Sequence, residues 1–203
     1  MEIIEKAANL FLSRSELPPA SQVVERLVAV EKANRKQKPQ HSFEELLGNW
    51  QLRLITGTKK TREKAGVVLG AGRYVPKFLD IELIYHTQEK QEKSSSESLD
   101  SQLPNLGRVK NRVKLGFIEL SLSGPIKFVP PKNILQFEFT TITVKLNKIK
   151  LYHGYIRNGR TKEKEFATQA IAQSPFFVYF LIRENFIAAR GRGGGIALWS
   201  RKR

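Results

Sequence analysis

The sequence predicts a mainly β protein, an antiparallel β-barrel preceded by short N-terminal helices. Three observations predict it. Apolar residues recur at helical spacing up to residue 47 and then switch to a period of two. The strand-like segments that follow have no long helix among them, which favours a closed barrel over a doubly wound sheet. Two of those segments reverse the phase of their alternation midway, as a bulge or sharp bend would, and such bends let a sheet curl and close. A chain of 203 residues with 40% hydrophobic side chains supports one sizeable core. The expected organisation is a helical leader over 1–47 packing on a barrel over 48–203, with a flexible Ser-rich loop at 88–107.

In the leader, Ile3, Ala7, Leu10 and Phe11, then Val23, Leu27 and Val30, fall at helical spacing on either side of Pro18-Pro19. They predict two short amphipathic helices whose apolar stripes pack against the rest of the protein. Ser42-x-x-Glu45 has the form of a capping box and opens a single helical turn over 43–47 that ends at Gly48. Beyond it, Trp50, Leu52 and Leu54 alternate with Gln51 and Arg53, and Leu79, Ile81, Leu83 and Tyr85 alternate with Asp80, Glu82 and His86, the pattern of strands with one wet face. Val113, Leu115 and Phe117 then give way to Ile118, Leu120 and Leu122, and Leu135, Phe137 and Phe139 to Ile142, Val144 and Leu146. Strands near 149–156, 176–183, 186–189 and 196–199 complete the barrel. Between residues 88 and 105 the chain is rich in Gln, Glu, Lys and Ser and has little to bury, so a solvated loop is expected there.

Composition narrows the chemistry. There are 35 Lys+Arg against 19 Asp+Glu, a formal charge of +16, and the whole excess lies in residues 48–203 because the leader is balanced. Polyanions such as nucleic acid or anionic lipid headgroups are the expected partners. Cysteine is absent, which excludes disulfides, Cys-ligated metal and thiol catalysis. The first residues lack the marks of a signal or transit peptide, and no apolar run approaches the ~20 residues of a membrane-crossing helix. Membrane contact is expected to be peripheral. His41, His86 and His153 form no metal-ligand spacing. No G-x-S-x-G elbow is present, and Gly57-Thr58-Lys59-Lys60-Thr61 lacks the spacing and helix of a phosphate loop. The glycine-spaced stretch from Gly66 to Gly72 reads as loop or bulge.

The basic residues have more structure. Arg108, Lys110, Arg112 and Lys114 alternate with Val109, Asn111, Val113 and Leu115, so a strand would set four cations on one outward face, suited to an anionic surface. Lys148 and Lys150, then Arg157, Arg160, Lys162 and Lys164, add a second basic region. Arg190-Gly191-Arg192-Gly193-Gly194-Gly195 has an RGG look, but apolar runs flank it on both sides, and a hairpin turn is expected instead.

The two ends of the expected barrel carry a more specific pattern. Leu46-Leu47-Gly48-Asn49-Trp50-Gln51-Leu52 followed by Thr56, and Pro175-Phe176-Phe177 with Arg190-Gly191 before a final strand at Trp199, resemble the plastid lipid-associated protein/fibrillin family. The helical leader matches as well. The resemblance implies a lipocalin-like barrel in which Gly48 and Trp50 open the first strand and Arg190, with Gly191, closes one barrel end by packing on the indole. It implies binding or organisation of prenyl lipids such as carotenoids or quinones, without enzymatic activity or cofactor. The absent transit peptide gives it the look of a cyanobacterial member, placed at the cytoplasmic side of thylakoids or at lipid globules. Ala188-Ala189 and the Ser-rich insertion after Gln88 depart from the family pattern. The apolar ligand would then lie in a barrel interior fed by Leu52, Leu54, Phe117, Phe137, Phe139 and Phe177, with Arg108, Lys110, Arg112, Lys114, Lys148 and Lys150 meeting anionic lipid. Three other readings compete: a nucleic-acid-binding barrel using the four-cation stripe, a scaffold with a filled barrel, and a pigment-modifying enzyme like the lipocalin-like bilin lyases, for which no acid–base pair is apparent.

Overall fold

The computed structural model describes residues 1–57, 72–87 and 106–202. It is mainly β, a closed eight-stranded antiparallel barrel with a few short helices. The strands are β1 (Gly48–Ile55), β2 (Arg73–Tyr74), β3 (Leu79–Thr87), β4 (Leu106–Leu115), β5 (Ile118–Val129), β6 (Ile134–Phe137), β7 (Thr141–Leu146), β8 (Ile149–Tyr155), β9 (Phe176–Ile182), β10 (Phe186–Gly191) and β11 (Ile196–Arg201). The barrel runs β1-β3-β4-β5-β6-β9-β10-β11 and closes where β11 pairs β1. Every pairing is antiparallel, and β2 adds a short rung to the far end of β1. The expected loop at 88–107 lies outside the described residues from 88 to 105, as do 58–61 of the Lys-rich loop and 66–71 of the glycine-spaced stretch. Leu106 and Gly107, assigned to that loop from the sequence, belong to β4.

The two phase reversals have different causes. The first is a chain reversal and not the bulge or bend expected from the sequence: Leu115 pairs Ile118 across the two-residue turn Gly116-Phe117, so a hairpin joins β4 to β5. The second is a bend over residues 138–140, which separates β6 from β7 along one edge of β5. The first half of β5 pairs β7 and its second half pairs β6. At the bend the backbone passes so close to Gly124 that any Cβ there would sit 1.9 Å from the Glu138 carbonyl oxygen, so β5 needs glycine at this crossing. As a result β7 and β8 leave the barrel wall and, with the ends of β3, β4 and β5, form a projecting apron with β8 as its free edge.

Helices α1 (Glu2–Ala8) and α2 (Ala20–Gln37) lie on the outer surface of β1, β9, β10 and β11. There Ile4, Ala7, Val23 and Leu27 bury against Leu54, Phe180, Ala188 and Leu198 in a second core outside the barrel. The stripe read from the sequence holds for Ala7, Val23 and Leu27, but Phe11 lies beyond the end of α1 and is exposed. Arg190 fastens α2 in place. Its Nε donates to Glu31 at 2.7 Å and a second N–H reaches the other carboxylate oxygen, a bidentate pair. Its Nη1 donates to the Gly194 carbonyl. The stretch 190–195 is thus the β10–β11 hairpin, as its apolar flanks predicted. A third helix, α3 (Gly159–Glu165), packs with Phe166 on the outside of β4–β6.

Candidate functional site

One end of the barrel is shut from the residues upward. Gly48 sits at φ +114°, a conformation that favours glycine, and a Cβ there would lie 2.9 Å from Arg201 Nη1. Trp50 points inward, is fully buried, and donates its indole N–H to the Leu46 carbonyl at 2.6 Å. The guanidinium over its ring belongs to Arg201, at 4.1 Å from the ring centroid, and not to Arg190. Register explains the correction: Arg201 pairs directly with Trp50 across β1–β11 and shares its inward face, whereas Arg190 pairs Ile196 and Val178 and points outward to α2. Arg201 also donates to the Leu47, Glu45 and Glu184 carbonyls and so ties the turn over 44–46 to the closing strand. Glu45 reaches back to the Ser42 N–H, the side of the capping box expected from sequence.

Above that seal the lumen is filled by aromatic rings. Phe137 stacks on Phe177 at 5.1 Å, Phe177 meets the Trp199 ring edge-on at 5.5 Å, and Phe139 leans on Phe137 at 5.2 Å. Tyr85 and Tyr179 share a hydroxyl–hydroxyl hydrogen bond of 2.7 Å in the middle of the core. Burial pushes both phenols well above their ordinary value, so they stay neutral.

Towards the apron the inward face stays apolar while its burial fades. Leu83, Tyr85 and Val109 are buried; Ile81, Val113, Leu120, Leu122, Ile142 and Val144 are half-buried; Leu115, Ile118 and Leu146 are exposed. Register places all of these on one continuous face, from β3 across β4 and β5 to β7. Leu52, Phe139 and Phe177 border it, each keeping part of its surface exposed beside the packed core. A single amide interrupts the apolar lining. Asn111 stands between Leu83 and Leu122, and its Oδ1 is buried without a hydrogen-bond partner among the described residues. An orphaned buried carbonyl costs about 1–3 kcal/mol, so a hydrogen-bond donor reaching Asn111 would be favoured there.

The residues expected to feed the interior therefore divide. Leu52, Phe137, Phe139 and Phe177 border or fill the lumen. Leu54 does not: an extra residue in β1 between Leu52 and Leu54 reverses the alternation and turns Leu54 outward into the core under the helices. Phe117 does not either, because it occupies the β4–β5 turn and is 73% exposed. Sequence reading missed Asn111, whose place among the inward-phase residues of β4 was the available signal. It also left Leu120, Leu122, Ile142 and Val144 as strand markers without a role.

The four cations of β4 share its outward face, with part of their charge met locally. Arg112 pairs the buried Glu82, which also holds Lys202, and Arg108 pairs Glu163 of α3. Lys110 and Lys114 have no ion pair among the described residues. Lys148 lies in the β7–β8 turn and Lys150 on β8, both exposed. Among the described residues no group of three or more His, Asp or Glu is arranged to hold a metal ion, and no helix is long and apolar enough to cross a membrane. Comparison of the chain with protein-family models, with curated proteins and with solved structures finds no match in any of the three.

Proposed function

We propose that the protein binds an apolar lipid of the prenyl class, such as a carotenoid or quinone, along the half-open inner face of its barrel, and that it does so as a carrier or organiser rather than an enzyme. The observation that carries this reading is the lining itself. It is a continuous inward apolar surface, half-buried where a barrel core would be sealed, with one unsatisfied carboxamide in its wall. Ligand sites have this form, a mostly apolar cleft with few polar groups that fix orientation. Each methylene equivalent of ligand withdrawn from water contributes about 0.8 kcal/mol. A hydroxyl at one point of the chain would satisfy Asn111. The closed end is filled by Trp50, Tyr85, Tyr179 and Trp199, which favours the apron side, beside Phe139 and Phe177, for the ligand.

The resemblance of the 46–52 and 175–177 patches to plastid lipid-associated proteins supports the same ligand class. Membership of that family and a place at thylakoids or lipid globules are part of this proposal. The paired state of Arg108 and Arg112 weakens the competing nucleic-acid reading, because phosphate binding draws on unneutralised cations.

The test is a titration with a hydroxylated carotenoid and with its parent hydrocarbon. Both are expected to bind and to quench Trp199 fluorescence, and Leu122→Glu is expected to abolish both. Asn111→Leu is expected to stabilise the ligand-free protein by about 1–3 kcal/mol while weakening the hydroxylated probe about tenfold and sparing the hydrocarbon. Failure of both probes to bind the wild-type protein would overturn the proposal.

A further inference from the structure

The β4–β5 and β7–β8 turns lie side by side at the outer end of the apron, where Ile118 pairs Leu146 and the Asn147 N–H donates to the Phe117 carbonyl at 2.7 Å. Apolar side chains crowd this tip, uncovered by any of the described residues: Phe78, Leu115, Phe117, Ile118 and Ile149 are each more than half exposed, and Leu146 is 42% exposed. Single exposed apolar residues are ordinary, but six on neighbouring turns form the kind of patch that soluble surfaces avoid. Lysines surround them. Lys77 precedes Phe78, Lys114 precedes Leu115, and Lys145, Lys148 and Lys150 flank Leu146 and Ile149, five lysines against two neighbouring carboxylates, Glu119 at 3.7 Å from Lys145 and Asp80 across the strand pair from Lys114.

From this arrangement we infer that the paired hairpin tips are a docking device for an anionic lipid bilayer. Phe117 and its apolar neighbours enter the acyl boundary and the lysine ring rests on the headgroups. Charge selects the occupant. A protein partner or a second copy could cover an apolar patch, but a ring of lysines carried by a chain of +16 repels a second copy and suits an anionic plane, where apolar insertion and electrostatic attraction act together. The tip also borders the apolar lining without interruption, since Leu115, Ile118 and Leu146 continue the face formed by Val113, Leu120 and Val144. A docked tip would give an apolar ligand a dry path between bilayer and barrel. The choice of a bilayer rests on the lipid-binding reading above, although the tip can be tested separately from the ligand site.

The experiment uses the full chain carrying Phe117→Trp, mixed with phosphatidylglycerol or with neutral phosphatidylcholine vesicles. Trp50 and Trp199 are buried, so a blue shift on adding phosphatidylglycerol vesicles reports the tip, and it is expected there and not with neutral vesicles. In co-sedimentation, Phe117→Ser with Ile149→Ser is expected to lower vesicle affinity about a hundredfold or more, what two lost apolar insertions cost. Lys148→Gln with Lys150→Gln is expected to lower it about 25-fold, near fivefold per lysine. Lys32→Gln with Lys36→Gln on α2, the same charge removed elsewhere, is expected to change it little. An unshifted spectrum, or equal effects of the two lysine pairs, would overturn the inference. So would a tip variant that abolishes a monomer–dimer equilibrium while leaving vesicle binding intact. The two readings fail separately: loss of docking with carotenoid affinity retained supports the tip, and docking retained in a protein that binds no carotenoid leaves the tip standing and removes the ligand site.

Discussion

Trp50 and its surroundings show how far single residues were legible. The Gly-x-Trp step was visible in the sequence, and the family resemblance implied an arginine on the indole and pointed to Arg190, but the closing hairpin carries more than one arginine and strand register decides which of them faces the ring. A direct cross-strand neighbour shares a face, which gives Arg201 the ring and leaves Arg190 to Glu31. A double-mutant cycle of Trp50→Phe with Arg201→Ala is expected to give a coupling of about 0.5–2 kcal/mol, the range of a cation–π contact. The same cycle with Arg190→Ala is expected to give nearly none, measured by urea unfolding. Tyr85 and Tyr179 supply a second expectation. Their folded-state pKa values are raised by burial, so their contribution to stability is complete below the unfolded phenol value of about 10 and declines as pH rises beyond it. Alkaline titration should therefore show the last tyrosinate absorbance appearing together with loss of near-ultraviolet circular dichroism. Complete ionisation of all five tyrosines with the barrel intact would contradict the buried pair.

Elements were legible wherever alternation was unbroken. The segment at Leu79–Thr87 could be read off from its alternation, and those at Phe176–Ile182 and Ile196–Arg201 as short apolar runs. Where the alternation changed phase, the sequence alone could not distinguish a turn from a bend, since both reverse the parity of the residues that follow. A single extra residue in β1 was enough to send Leu54 to the wrong side of the wall. The bend over 138–140 matters most, because it frees β7 and β8 from the barrel and leaves the lining open. Gly124→Ala would place a methyl group against the Glu138 carbonyl, within a distance that only a backbone shift can relieve. It is expected to destabilise the protein by about 1–3 kcal/mol, a typical cost of overpacking. Its amide exchange should rise in β7 and β8 more than in β9 to β11. Uniform exchange across the sheet would show that the bend does not separate the two parts.

At the scale of the molecule, charge and shape divide the work. Two apolar cores lie on opposite sides of the β1–β9–β10–β11 wall, one inside the barrel and one beneath α1 and α2. That wall is packed on both faces, while the β3–β4–β5–β7 side carries the open lining and the lysine-rimmed tips. Composition announced the excess of positive charge but not its distribution, because ion pairs such as Arg112–Glu82 and Arg108–Glu163 join residues far apart in sequence. The barrel itself was legible from period-two alternation; the apron that projects from it depends on which half of β5 pairs which neighbour, and no local pattern encodes that choice. The most direct measurement is mass spectrometry of an organic-solvent extract of the protein purified without detergent from a photosynthetic host, compared with the Leu122→Glu variant prepared alongside. A prenyl lipid near one per chain in the wild type and absent from the variant is the predicted result. Extracts of the two that are equally empty, or that carry the same lipids in the same amounts, would contradict a ligand held on the inner face of the barrel.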